Sequence, residues 1–270
     1  MMQSRKLSQD IIAAAKSRDD ITLVRLVESW WSEFDAVNAA TAFRSLLMLH
    51  HSSNKRSEVL RILEKEISER HMPAFGARQC ANTLHALAKA KRSHSASILL
   101  LQLLLERVAE LVHDLNPQDI SNIMWAFATL ELEAEPLKEL VSLLAAQALS
   151  VHRDFNPQSI SNTLWAFATL GLQPGSNLVS AMTARAVMMQ YDFNPQAIGN
   201  TLWALATLGL KPSKHLEEAL SEQALVVQNE FNTQNISNTL WAFATRGDQP
   251  DKKLVSALTA QVSAHVSCNI

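Results

Sequence analysis

The 270-residue chain carries 24 basic and 26 acidic side chains, a formal charge of −2, which leaves no global cationic field to hold a polyanion. Hydrophobic residues make up 47% of it against 6 Gly and 8 Pro, so it can bury a continuous core and lacks the turn-formers of an all-β fold. Cys80 and Cys268 share no metal-ligand spacing and fit a reducing compartment, and no apolar run reaches the length of a membrane span.

In chain order, residues 1–17 place Arg5, Lys6 and Lys16 around a short Ile-Ile-Ala-Ala-Ala stretch. They read either as the first helix of the fold or as an organellar transit segment, a reading that Asp10, Asp19 and Asp20 weaken. Residues 1–33 are expected to be N-terminal capping helices. From there one pattern returns. FNPQSISNTLWAFATLGLQP begins at Phe155 and comes back as FNPQAIGNTLWALATLGLKP from Phe193 and FNTQNISNTLWAFATRGDQP from Phe231. Earlier copies start at Leu115 (LNPQDISNIMWAFATL), at Phe75 (FGARQCANTLHALAKA) and, most degenerate, at Phe34 (FDAVNAATAFRSLLML). Trp125, Trp165, Trp203 and Trp241 mark the period, with His85 and Arg44 in the tryptophan place upstream.

Each unit reads as two helices. The second opens on Asn156-Pro157, an N-cap followed by proline at the first helical position, where a missing N–H costs nothing. Ile160, Leu164 and Phe167 recur at helical spacing and Gly171 supplies the stop. Pro174 then leads into the next first helix, with Leu178, Ala181, Met182 and Ala186 as its apolar stripe. Leu140, Leu178, Leu216 and Leu254 are equivalent in the repeat, which puts the two extra residues of one unit in a loop over 131–135. One hairpin cannot bury its apolar faces, whereas stacked neighbours can. The expected fold is therefore all-α, a right-handed α-solenoid of about six helical-hairpin repeats. It forms one array over 1–270 that ends in a half-repeat at 251–270.

Around the axis of the second helix, Ile160, Thr163, Leu164, Phe167 and Ala168 fall on a core side. Gln158, Ser159, Asn162, Ala166 and Thr169 fall on the other. That second face repeats in register: Gln118, Gln158, Gln196 and Gln234, with Arg78 upstream; Asn82, Asn122, Asn162, Asn200 and Asn238; Thr129, Thr169, Thr207 and Thr245. The asparagine ladder either bonds neighbouring repeats together or faces a ligand. The tryptophans either pack between repeats or stack on nucleobases. Within this constant frame one position, three residues after the cap, changes in every unit: Asn38, Gln79, Asp119, Ser159, Ala197, Asn235. It is either an unconstrained surface site or a readout position, since a fixed frame with one variable site per unit is how helical repeats read a linear polymer. A further polar position recurs in the first helices as Arg107, Gln147, Arg185, Gln223 and Gln261, for backbone contacts or solvent.

At these residues the chain resembles the helical repeats of octotricopeptide-repeat proteins and of the related RAP-domain, FAST-kinase-like group. The segments FNPQSISNTLWAFATLGL and FDAVNAATAFRSLL carry the resemblance, over about residues 20–270. It implies an α-solenoid that binds single-stranded RNA in mitochondria or chloroplasts and serves transcript processing, stability or translation. The sequence departs from the group in having no RAP domain after the repeats. It also reduces the proline-rich pentapeptide to the dipeptides at Pro174 and Pro212. Catalysis has no visible seat: there is no Gly-rich phosphate loop, nucleophile elbow or paired-carboxylate motif. The adjacent His50 and His51 lack partners at ligand spacing. The expectation is a non-enzyme without cofactor, metal, membrane or small-molecule ligand. Its partner is single-stranded RNA, met by the variable positions, the Gln row with Arg78 and the Asn row from Asn122 onward. The competing expectation is a protein–protein scaffold of the TPR or HEAT type.

Overall fold

The computed structural model of the protein describes residues 2–49, 54–91, 97–247 and 252–267, so His50, His51 and Cys268 lie outside the described residues. The described chain is all-helical and falls into two compact units, Met1–Leu115 and Asn116–Ile270. The first holds α1 (Met2–Lys16), α2 (Asp20–Trp30), α3 (Ala36–Leu47), α4 (Asn54–Glu66), α5 (Ala77–Ala90) and α6 (Ile98–Glu110). The second holds α7 (Pro117–Thr129), α8 (Ala134–Ser150), α9 (Pro157–Leu170), α10 (Ser176–Met188), α11 (Pro195–Thr207), α12 (Lys214–Val226), α13 (Thr233–Arg246) and α14 (Lys252–Ser267).

The repeated sequence explains the helix starts. Asn156 Oδ1 accepts from the Ser159 amide at 2.8 Å, and Asn116, Asn194 and Asn232 do the same three residues on. Pro117, Pro157 and Pro195 stand at the first helical position. Gly171, Gly209 and Gly247 end their helices at φ near +70°, the left-handed region glycine enters without strain. Before each start a short 3-10 turn delivers one large side chain into the interior: Phe34, Phe75, Leu115, Phe155, Phe193 and Phe231 are all buried. Burial of each phenyl group contributes about 1.5–3 kcal/mol.

In the second unit α7 packs on α9, α9 on α11 and α11 on α13, while α8, α10, α12 and α14 form a parallel succession of their own. In the first unit α1, α3 and α5 make the corresponding row, with α2 against α4. The segment 1–17 therefore carries a packed helix, with Leu7, Ile11 and Ala14 buried. The expected core side of α9 is buried at Ile160, Thr163, Leu164, Phe167 and Ala168. The recurrent polar position of the first helices turns inward at Arg107, Arg185 and Gln223, whereas Gln261 bonds the exposed Asn229 side chain. Arg107 Nε donates to the Phe75 carbonyl at 2.8 Å, Arg185 Nε to Phe155 at 3.1 Å, and Gln223 Nε2 to Phe193 at 3.0 Å. These bonds satisfy the carbonyl of the buried aromatic and lock a first helix onto the turn that precedes the second.

Two local expectations are corrected. The two extra residues do not lengthen a loop: Ala134 and Glu135 already belong to α8, because Pro136 sits in the first turn, where no intrahelical N–H is required. As a result Leu137 takes a buried place at the start of α8, and Leu140, unlike Leu178, Leu216 and Leu254, is only half-buried.

Candidate nucleic-acid interface

Gln158, Asn162, Trp165 and Thr169 are spaced by four, three and four residues, which places them on a single stripe along α9. The structure leaves this stripe open: Gln158 and Thr169 are exposed, Asn162 and Trp165 half-buried. The same stripe recurs as Gln118, Asn122, Trp125 and Thr129 on α7 and as Gln196, Asn200, Trp203 and Thr207 on α11. On α13 it is Gln234, Asn238, Trp241 and Thr245, with Trp241 45% exposed. Across four helices it contains no ionisable side chain. Amides offer paired donors and acceptors, and indoles offer a π face to any base. The Trp203 and Trp241 rings lie 6.2 Å apart between centroids and are tilted by 35°, so the row closes up at that end. Asn238 Nδ2 donates to Asn200 Oδ1 at 3.4 Å, a long bond that links two rungs of the asparagine ladder and leaves their other polar atoms to the surface.

The tryptophans thus stand in the open stripe, whereas Ser159 and Ala166, assigned by sequence to the same face, do not. Ala126, Ala166, Ala204 and Ala242 are fully buried between neighbouring second helices. The variable position is a further correction. Asn38, Asp119, Ser159, Ala197 and Asn235 are buried, which removes these five from the surface a ligand could touch; Gln79 is half-buried and lines an open cleft of the first unit. Two structural tasks occupy them. In the capping boxes, Asn38, Gln79, Asp119 and Asn235 accept from the backbone N–H of Asp35, Gly76, Asn116 and Asn232. Within each unit this position also meets the small residue of the preceding second helix: Ser121 Oγ bonds Ser159 Oγ at 3.4 Å, and Asn38 Nδ2 donates to Ser8 Oγ at 2.7 Å. A Cβ added at Gly199 would come within 3.1 Å of the Asn235 carbonyl. Gly199 stands opposite the bulky Asn235 and Ser121 opposite the small Ser159; the same register sets Ser161 opposite Ala197. Within the second unit the variation is volume matching across a close helix contact, and its signal in the sequence is the change at the paired position, Ser121, Ser161, Gly199.

In the first unit the stripe changes character. On α3 it is Val37, Thr41, Arg44 and Met48, and on α5 it is Arg78, Asn82, His85 and Lys89. Burial, then the charges of Lys89 and Arg44, push the His85 imidazole down to about 4, so it is neutral at physiological pH. The carboxylates Glu217, Glu218 and Glu222 lie on α12 and not on any second helix; Glu217 pairs with Arg246 and Glu218 with Lys214.

A family model described as RNA-editing substrate-binding complex 6 protein matches residues 27–212 and again 137–268. The chain belongs to that family. The two overlapping matches of one model are what an internally repeated chain produces, and together they span both units of this family member. No curated protein matches the chain significantly.

Proposed function

We propose that this RNA-editing substrate-binding complex 6 family member binds single-stranded RNA through the Gln–Asn–Trp–Thr stripe of α7, α9, α11 and α13. The helical hairpins of each unit stack as in a right-handed α-solenoid, and the binding is sequence-selective. The observation that carries this is the stripe itself: four consecutive second helices present the same uncharged, aromatic-containing row, with the carboxylates elsewhere. An ordinary solvated helix face is rich in Lys and Glu; this one is built for hydrogen bonding and stacking. The family's description places its members in a complex that binds RNA-editing substrates, and the resemblance to octotricopeptide-repeat proteins points the same way, toward organellar RNA processing, stability or translation. With the variable positions buried, selectivity belongs to the exposed Gln and Asn rows and the tryptophans. The reading assigns the chain no catalysis and no cofactor.

A protein-scaffold role has one observation of its own. Met188 and Val226, equivalent in α10 and α12, are 78% and 71% exposed, and Tyr191 beside them is 75% exposed, an apolar row on the opposite layer suited to a protein partner within a complex. The deciding experiment is a randomised-RNA selection on the wild-type chain and on Trp165→Ala/Trp203→Ala. Enrichment by wild type with a loss of roughly 5- to 150-fold in affinity per lost stacking contact supports the stripe. No enrichment by wild type hands the function to the scaffold.

A further inference from the structure

The stripe of the first unit is not neutral. Together with the end of α1, α3 and α5 line an open cleft of about 820 Å³, within the size range of ligand pockets. Lys16, Arg18, Arg44 and Arg78 reach it, against a single carboxylate, Asp20, whose charge is also felt by Arg56. Other cations of the chain are paired, Lys55 with Glu28, Arg70 with Glu66 and Arg107 with Glu110, while Arg61 and Arg153, unpaired among the described residues, do not line this cleft. None of the four cleft side chains makes an ion pair or hydrogen bond among the described residues. Arg18 is held at φ 55, a left-handed conformation that disfavours a side chain, at the turn closing α1. Val37, 47% exposed, and Met48, 39% exposed, supply apolar surface between the charges.

We infer that this cleft binds the phosphodiester backbone of an RNA strand, with Lys16, Arg18, Arg44 and Arg78 on phosphates and Val37 and Met48 against sugar or base. Four unpaired cations around a cleft, interleaved with apolar side chains, complement a nucleotide, which is itself anionic at one end and apolar at the other. Phosphate contacts carry no sequence information, so the cleft supplies affinity and the neutral stripe of the second unit supplies selection. The inference rests on RNA being the ligand, and the two halves come apart in one experiment on the full chain with two probes. An abasic phosphodiester oligomer retains charge without bases; a morpholino oligomer of selected sequence retains bases without charge.

The abasic oligomer is expected to bind wild type and to weaken roughly 10- to 100-fold in Arg44→Ala/Arg78→Ala, with the salt slope shallower by about 1.4 for two lost single-strand contacts. Arg44→Lys/Arg78→Lys restores most of the slope. Both arginines are exposed, and a thermal melt of each variant confirms an intact fold. Failure of the abasic oligomer to bind, an unchanged slope in the alanine variant, or equal binding of a polyglutamate peptide of the same charge overturns the cleft assignment. If morpholino binding meanwhile persists, the stripe stands without the cleft; abasic binding with no selection among RNA sequences leaves the cleft standing and removes the stripe.

Discussion

Ser159→Asn puts the volume-matching account of the variable position at direct risk. Ser159 is 3% exposed and its hydroxyl is already 3.4 Å from that of Ser121, so an added carboxamide has no free space. In the second unit, where an asparagine occupies this position at Asn235, the facing residue is Gly199, and even a methyl there would sit 3.1 Å from the Asn235 backbone; in the first unit Asn38 instead faces Ser8 and donates to its hydroxyl at 2.7 Å. Overpacking of this kind costs about 1–3 kcal/mol. Ser121→Gly alone loses roughly 0.5–1 kcal/mol for glycine in a helix interior. Combined, the two changes recreate the Gly199–Asn235 pairing, and the double variant is expected to be more stable than Ser159→Asn, with a favourable coupling of about 1–2 kcal/mol. Urea denaturation of the four members of this cycle reads the coupling, with thermal shifts of roughly 2–4 °C per kcal/mol as a second measure. RNA selection on Ser159→Asn should return the wild-type consensus, because the side chain stays buried. Additive stabilities, or a changed consensus at one ligand position, would refute the packing account and restore the position as a readout site.

Gln223→Ala leaves the buried Phe193 carbonyl without its donor and is expected to cost about 1–3 kcal/mol in urea denaturation. Gln223→Arg, the residue found at the equivalent Arg107 and Arg185, should recover most of it; equal losses in both variants would contradict the shared role. The His85 imidazole titrates near 4 when folded and near its ordinary 6.5 when unfolded. Between those values the unfolded chain binds a proton that the folded one does not, so stability falls as pH drops through this window and the loss is complete below about 4. The loss is at most about 3 kcal/mol, and a Tm-against-pH profile of His85→Gln should be flatter there than wild type. Deleting residues 155–192 joins Asp154 to Phe193 and brings Ser121 opposite Ala197, so circular dichroism should show a shorter, still helical protein; a largely unfolded product would end the modular reading.

The repeat, its helix boundaries and the core side were legible because they depend on neighbours in the chain. A cap followed by proline, a glycine stop and apolar residues at helical spacing act through local backbone geometry, and Asn156, Pro157 and Gly171 do in the structure what their types require. The face opposite the core was only half legible. At 100° per residue, periodicity separates a core side from its opposite but does not divide the remainder among solvent and two flanking helices. Ser159, Ala166 and Trp165 are all consistent with an outer face in sequence. Tertiary packing put the first two between second helices and left the tryptophan in the open stripe, because at a close helix contact the facing side chains must together stay small, as Ser121 with Ser159 and Gly199 with Asn235 do. The cleft of the first unit was beyond sequence for a related reason. Lys16, Arg18, Arg44 and Arg78 are scattered over the end of α1, the turn after it, α3 and α5 in a chain of nearly balanced charge, and only the packing of α1, α3 and α5 gathers them without carboxylate partners.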